Sequence, residues 1–190
     1  GLQFEAAIGE GSGSHLRGGR SSPCHRPRPA GPTVHGAHQA LLLPAELRDG
    51  LAMLSQREGV SLFMILLAAF QTLLAQYSGQ DDIIVGSPIA GRNRLETENL
   101  IGHFINTLVL RTSFAGDPTF SDLLRQVKDV ALGAYAHQET PFEKLVEELQ
   151  PERNLSYTPL FQVMFVFQNA IASELSLSGL EISREDLHNP

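Results

Sequence analysis

Residues 82–112, DIIVGSPIAGRNRLETENLIGHFINTLVLRT, form the stretch from which the fold of this chain is best inferred. It contains two apolar runs rich in β-branched residues, Ile83–Val85 and Phe104–Leu110, and both are bounded by residues that break regular structure. Such runs predict buried strands. We expect the first strand to stop at Gly86-Ser87-Pro88 and the second to end near Phe114.

Asn106 is the polar exception within the second run, with Thr107 beside it. A buried amide without hydrogen-bond partners costs about 1–3 kcal/mol. The side chain must therefore be fully hydrogen-bonded inside the protein, or it must be used to bind something. The residues alone leave both interpretations open.

The residues before this stretch predict two helices. The first begins with Pro44 at its first position, repeats leucine at Leu47, Leu51 and Leu54, and ends at Gly59. The second is capped by Ser61, runs from Leu62 to about Tyr77 and is closed by Gly79. Because it is apolar nearly all round, we expect it to lie in the core. Its predicted core residues are Leu62, Phe63, Leu66, Leu67, Phe70 and Leu74.

Further helices and strands alternate along the rest of the chain. A short helix is predicted at Leu95–Leu100, a third long helix is capped by Thr119 or Ser121, and a fourth spans Pro141–Leu149. The third buries Leu123, Leu124, Val127, Val130, Ala131 and Ala134, and the fourth turns Phe142, Leu145, Val146 and Leu149 inward. An alternating strand is predicted at Leu160–Phe167 and a weaker one at Leu175–Ile182. This alternation of helices and strands predicts an α/β layered domain.

Residues 1–40 have a different composition from the remainder. They hold eight glycines and four prolines with little apolar periodicity, so they are expected to be loop or disordered. The domain proper is therefore predicted to span residues 41–190. Cys24 lies in the first segment near His25, His35 and His38, but their spacing fits no zinc pattern, so no metal site is predicted.

Charge and composition exclude several classes of function. The net charge is −7, and residues 41–190 alone carry −9, which argues against binding to nucleic acid. The single cysteine excludes an internal disulfide. No stretch reaches eighteen uninterrupted apolar residues, so we expect neither a membrane span nor a membrane partner and predict a cytoplasmic protein.

Three motifs give the chain a family resemblance. Residues 101–111, IGHFINTLVLR, resemble the I/V-G-x-F-V-N-T-x-x-x-R motif of condensation domains in nonribosomal peptide synthetases. Residues 137–143, HQETPFE, are similar to that family's H-Q-D-x-P-F-E motif, with Glu139 in place of aspartate. Residues 153–161, RNLSYTPLF, are similar to its R-D-x-S-x-x-P-L-F motif. The order and spacing of all three match the C-terminal lobe of the family.

This resemblance implies a chloramphenicol-acetyltransferase-like fold, in which each of two α/β lobes packs helices on a central mixed β-sheet. It also implies that such a domain joins an acyl or peptidyl thioester to the amine of an aminoacyl thioester. No cofactor is then bound directly, since phosphopantetheine arms on partner carrier domains hold both substrates. The implied partners are the N-terminal lobe, the peptidyl carrier domains and an adenylation domain.

The family's catalytic H-H-x-x-x-D-G motif is absent from these residues, because the chain contains no adjacent pair of histidines. The resemblance therefore implies no catalytic residue here and a chain inactive alone, truncated before the last strand of the lobe, that supplies one wall of the substrate tunnel. Asn106 and Ser87 are the predicted tunnel residues. Structural roles within the motifs are predicted for Arg92, Gly102, Phe104, Thr107, Arg111, His137, Gln138, Pro141, Phe142, Glu143 and Pro159.

Two alternatives remain open at this point, and a third lacks the motif that it requires. The chain could be a scaffold module that binds carrier domains without chemistry, or a relative that carries out epimerisation or heterocyclisation. An acyltransferase of the same fold acting on free coenzyme A would need a His-x-x-x-Asp motif, and none is present.

Overall fold

The computed structural model describes residues 42–92, 95–98, 100–151 and 158–168. Expectations for residues 1–41, for Arg153 and for the strand at 175–182 lie outside the described residues. Seven elements follow in chain order, namely α1 Ala45–Glu58, α2 Leu62–Ser78, β1 Asp82–Ile89, α3 Leu95–Glu98, β2 Asn106–Ser113, α4 Phe120–Ala136 and α5 Phe142–Leu149.

The two strands form an antiparallel pair. Its register places Asp82 opposite Ser113 and Ile89 opposite Asn106. The prediction that the second strand begins at Phe104 is wrong by two residues. β1 ends at Ile89, which pairs with Asn106, so β1 offers no partner to residues 104 and 105. The strand ends at Ser113, close to the predicted end.

β1 does not stop at Gly86, and the predicted strand break there is wrong. The backbone N–H of Gly86 donates to the carbonyl of Val163 at 2.9 Å, and its carbonyl accepts from the N–H of Phe165 at 2.8 Å. With both backbone groups bonded, the strand continues through Ser87 and Pro88 to Ile89.

Residues 161–167 lie beside β1 on the edge that β2 leaves open. They meet β1 in a parallel bridge between Gly86 and Met164, which makes the sheet mixed. The expected alternation is confirmed, since Phe161, Val163 and Phe165 are buried and the residues between them are half-buried. The structure shows isolated bridges here rather than the continuous strand that was predicted.

The core lies between this sheet and the helices α2 and α4. Ser61 and Thr119 cap the two helices by accepting hydrogen bonds from Met64 and Asp122 N–H groups, as the sequence predicted for Ser61 and offered as one option for Thr119. Of the predicted α2 core, Leu67 and Leu74 are buried, whereas the other four residues are half-buried. The α4 residues predicted to face inward are all buried or half-buried.

The shorter elements differ from prediction at their ends. Pro44 is the residue before α1 rather than its first residue, and α3 ends at Glu98. Leu149 is 54% exposed, so the expectation that it turns inward is wrong. Leu47, the first of the three repeated leucines of α1, is 44% exposed. Both leucines lie near a helix end.

Candidate functional site

Asn106 begins β2, and its side chain holds the segment that links α4 to α5. The amide nitrogen Nδ2 donates to the carbonyl oxygens of Gln138 and Thr140, both at 2.8 Å. The oxygen Oδ1 accepts from the backbone N–H of Thr107 at 2.9 Å and of Phe142 at 3.1 Å. Both N–H bonds and both lone pairs of the amide are therefore used within the protein.

This geometry corresponds to the first interpretation of Asn106, a fully hydrogen-bonded amide. The same side chain ties β2 to the residues of the HQETPFE motif, from which it is separated by more than thirty positions. A contact from Asn106 to a bound molecule would have to replace one of these four bonds.

Ser87 lies on the same face of the sheet as Asn106. The register pairs Ser87 with Leu108, two residues along β2 from Asn106, so their side chains are diagonal neighbours. Ser87 is only 4% exposed, yet its hydroxyl finds no hydrogen-bond partner among the described residues. A buried hydroxyl without a hydrogen-bond partner costs about 1–3 kcal/mol. Of the two predicted tunnel residues, Asn106 uses all its hydrogen-bonding groups within the described residues, whereas the Ser87 hydroxyl uses none there.

Arg92 organises the connection between β1 and β2. Its Nη1 donates to the carbonyls of Thr97 and Leu100, the latter at 2.8 Å, and its Nη2 donates to the carbonyl of Gly102 at 3.3 Å. The guanidinium carbon also lies 4.4 Å from the centre of the Phe104 ring, within cation–π range. These contacts connect the guanidinium to three backbone carbonyls and one aromatic ring.

Gly91 allows the two ends of this connection to approach each other. A Cβ at this position would lie 2.0 Å from the carbonyl oxygen of Phe104, and its φ of 62° is in the left-handed region. No other residue fits there without moving the backbone.

The HQETPFE residues link α4 to α5 and include the first two residues of α5. His137 follows the last residue of α4 and is exposed, and its N–H donates to the carbonyl of Ala134 at 3.2 Å. Gln138 contributes its backbone carbonyl to Asn106, so the predicted role in fixing this loop is carried by the main chain. Pro141 precedes the first residue of α5, and Glu143 is exposed in its first turn.

Arg111 lies at the opposite end of the strand pair from Asn106. Its guanidinium makes two parallel hydrogen bonds of 2.8 Å to the carboxylate of Asp82. The pKa of Arg111 is raised by this hydrogen bond and by the negative charge of the same carboxylate. Both side chains of this ion pair are exposed.

An aromatic contact that the sequence did not predict lies beside these residues. Phe161 places its ring against Gly86, where an added Cβ would lie 2.5 Å from ring carbons, and its centroid is 5.5 Å from that of Phe142. Pro159 positions this ring by accepting a hydrogen bond of 3.0 Å from the N–H of Phe161. The signal for this contact was the glycine inside a strand, which often marks a close approach of another group.

Metal ligation and membrane insertion find little support in the described part of the chain. Its residues include no group of three or more histidine, cysteine, aspartate or glutamate side chains placed to hold a metal ion. No single helix among them is long and apolar enough to cross a membrane; α1 and α2 together reach that length and composition, but they meet at an angle of 104°.

A family model described as "Condensation domain" matches residues 20–189. The chain belongs to the condensation-domain family. The predicted resemblance to condensation domains of nonribosomal peptide synthetases is thereby confirmed.

One relative and two solved structures illustrate what this condensation-domain chain is similar to. A linear gramicidin synthase of Brevibacillus parabrevis is 61% identical over 160 residues, which make up 84% of this chain and 2% of that synthetase. A four-domain nonribosomal peptide synthetase bound to AMP and glycine superposes with a TM-score of 0.70 at 28% identity, over 74% of this chain and 11% of that one. The X-domain in its complex with OxyB from teicoplanin biosynthesis gives a TM-score of 0.68 at 30% identity, over 73% of this chain and 30% of that one.

The structural matches show that the chain has the α/β fold of condensation domains, as predicted. The chain spans only a small part of the curated relative that it matches. The structure brings the family-motif residues together in two groups within this fold. One is gathered by Asn106 and contains Thr107, Gln138 and Phe142. The other is gathered by Arg92 and contains Gly102 and Phe104.

Proposed function

We propose that this chain is part of a condensation domain that forms a peptide bond between two carrier-tethered substrates. One substrate is an acyl or peptidyl thioester and the other is the amine of an aminoacyl thioester, and phosphopantetheine arms of carrier domains present both. The family match and the identity to a peptide synthetase support this reaction class. An adenylation domain of the same assembly line would load the carriers.

The chain would supply one wall of the substrate tunnel. The observation that carries this proposal is the buried Ser87 hydroxyl, which lacks a hydrogen-bond partner among the described residues and lies diagonally from Asn106. A pantetheine amide or the reacting thioester carbonyl would satisfy this hydroxyl. Ser87 therefore becomes the first candidate for contact with substrate, and Asn106 becomes the residue that fixes the neighbouring loop.

The histidine motif of the family has no counterpart in the chain, since no two histidines are adjacent. We propose that the N-terminal lobe supplies this pair and that the second histidine positions or deprotonates the attacking amine. The residues described here would then bind and orient the two tethered substrates. Binding in the correct geometry lowers the entropy cost of reaching the transition state.

The experiment combines this chain with an N-terminal lobe of the same family and two loaded carrier domains, and it measures amide formation. Product is expected only when both lobes are present. Ser87→Ala should slow amide formation while leaving the stability of this chain unchanged or increased, because the substitution removes a buried hydroxyl that has no partner in the described fold. Asn106→Ala should lower both. Assembly of the lobes without product from the wild-type pair would refute the proposed reaction.

A second candidate function is a docking module without chemistry. The observation that favours it is the similarity to the X-domain, which was solved in a complex with OxyB. In that case the two lobes would still bind loaded carrier domains, and no amide would form even with the family's histidine motif present.

A further inference from the structure

Arg92 makes the contacts that determine the shape of the β1–β2 connection. One guanidinium donates to the carbonyls of Thr97, Leu100 and Gly102 and stacks on the ring of Phe104. Thr97 lies in α3, and Leu100, Gly102 and Phe104 lie between α3 and β2. One side chain therefore connects α3 to three positions of the segment that leads into β2.

The chemistry of these contacts requires arginine. Several N–H groups in one rigid plane are needed to reach three carbonyl oxygens at once, while the flat face of the same group lies on an aromatic ring. The ammonium group of lysine carries the same charge but is a compact point on a flexible stem, so it cannot make the fork and the stacking contact together.

The segment held by Arg92 leads directly into the group gathered by Asn106. Phe104 precedes Asn106 by two residues, and its carbonyl oxygen packs against Gly91. Asn106 in turn bonds Gln138, Thr140 and Phe142. The path from Arg92 to the start of α5 therefore runs through these contacts and through the backbone of residues 104–106.

We infer that Arg92 is a positioning residue for the tunnel wall, acting through Phe104 and Asn106 on residues 138–142. This inference rests on the proposed function for its catalytic consequence, but the mechanical coupling from Arg92 to residues 138–142 can be measured in this chain alone. Loss of the fork lets the residues before β2 move, so the Asn106 amide no longer stays aligned with its four partners.

Arg111 is a matched control within the same strand pair. It is an arginine with a fork of two hydrogen bonds, but it bonds the carboxylate of Asp82 at the far end from Asn106. Its removal tests the loss of an arginine from this sheet without disturbing the connection that Arg92 holds.

The first test is amide hydrogen exchange of this chain, followed in peptides that cover residues 138–146. Arg92→Ala and Arg92→Lys should both speed exchange in these peptides by about tenfold, the effect of losing one hydrogen bond to a charged group. Arg111→Ala should leave the exchange of the same peptides as in wild type. Unchanged exchange in Arg92→Ala, equal acceleration in Arg111→Ala, or wild-type behaviour of Arg92→Lys would each overturn the inference.

The second test is the kinetics of amide formation in the two-lobe assembly. Arg92→Lys should lower the rate at saturating carrier domains by about tenfold and leave the half-saturating carrier concentration unchanged, because orientation rather than carrier binding is disturbed. A wild-type assembly that forms no amide refutes the proposed function and leaves the exchange result standing. An active wild type whose rate is matched by Arg92→Lys refutes the positioning role instead.

Discussion

The side-chain oxygen of Asn106 accepts a hydrogen bond of 3.1 Å from the backbone N–H of Phe142, the first residue of α5. A strand and a helix that are 36 positions apart are thereby joined through one amide group. Since α5 has no fully buried residue, its position depends strongly on this bond and on the neighbouring bonds of the same amide to Gln138 and Thr140.

The stability of the chain should depend on both ends of the Asn106 amide. Asn106→Ala leaves two carbonyls and two N–H groups without their partner and should lower the free energy of unfolding by about 1–3 kcal/mol. Asn106→Asp should be at least as harmful, because a carboxylate oxygen would then face two carbonyl oxygens. Urea unfolding of the three proteins measures both effects.

Gln138→Ala is the control for this prediction, because Gln138 contributes its backbone carbonyl to Asn106 and the substitution keeps that group. Its unfolding curve should overlay that of wild type. A loss of stability in Gln138→Ala equal to that in Asn106→Ala would contradict the assignment.

Gly86 should not tolerate a side chain. In Gly86→Ala the new Cβ would lie 2.5 Å from the Phe161 ring, so the segment at 161–167 must move away from β1, at about 1–3 kcal/mol. Thermal unfolding of Gly86→Ala, Phe161→Leu and the double variant forms a cycle. The smaller leucine should recover part of the loss caused by alanine, and strictly additive effects would argue against the contact.

Gly133 provides the opposite case. It lies inside α4 with nothing within 4 Å of an added Cβ. Gly133→Ala should therefore raise the free energy of unfolding by about 0.5–1 kcal/mol, since alanine is the better helix former.

The buried pair of Gln71 and Thr112 should show a strongly non-additive response. The Thr112 hydroxyl donates to Gln71 Oε1 at 2.9 Å, and Gln71 Nε2 donates to the carbonyl of Leu110 at 3.3 Å. Thr112→Val alone should cost about 1–3 kcal/mol because it leaves the buried Oε1 unpaired, whereas adding Gln71→Leu should recover part of that loss. Urea unfolding of both single variants and the double variant gives the coupling.

Thr72→Val is the matched control on the same helix. Its hydroxyl donates to the carbonyl of Ala68 within α2, a carbonyl that already belongs to the helix ladder. A change as large as that of Thr112→Val would show that loss of any threonine hydroxyl, rather than of the pair, explains the result.

The pKa of Asp122 lies below its ordinary value, chiefly because its carboxylate accepts a hydrogen bond from the Thr119 hydroxyl. A carboxyl with a lower pKa in the folded state adds stability above its unfolded pKa, near 3.9, and this stability is lost as pH falls through the folded value. Thr119→Ala should therefore move the Asp122 pKa upwards in an NMR titration and reduce the loss of melting temperature below about pH 4.

Ser121→Ala should leave the Asp122 titration unchanged, because the cap of α4 is Thr119. An equal upward shift in both variants would indicate a general change at the start of α4 rather than loss of the Thr119 hydrogen bond.

Prediction from sequence succeeded for several features that depend on local information. The start of α2 at Ser61, its end at Gly79 and the buried face of α4 follow from capping residues and periodicity over a few positions. Prediction failed at Gly86, where a local breaker sits inside a strand because both of its backbone groups are bonded to residues 163 and 165. It also failed at Leu149, the last residue of α5, which continues the apolar repeat of the helix but is exposed to solvent.

The candidate site shows the same division. The motifs drew attention to Asn106 and Phe142, and the sequence also singled out Arg92. None of this revealed that the Asn106 amide and the Arg92 guanidinium bond to backbone groups, because a carbonyl or N–H group has the same chemistry at every position and leaves no mark in the sequence.

The amino-acid sequence by itself determined the family, the α/β class, the order of most elements and the absence of an adjacent histidine pair. Only the tertiary structure decided that the Asn106 amide is saturated, that Ser87 is buried without a partner in the described fold, and that Arg92 gathers backbone carbonyls. The physical reason is that helix caps and periodicity act over a few residues. Whether a buried polar group is hydrogen-bonded depends instead on which backbone N–H and carbonyl groups the fold brings within about 3 Å of it.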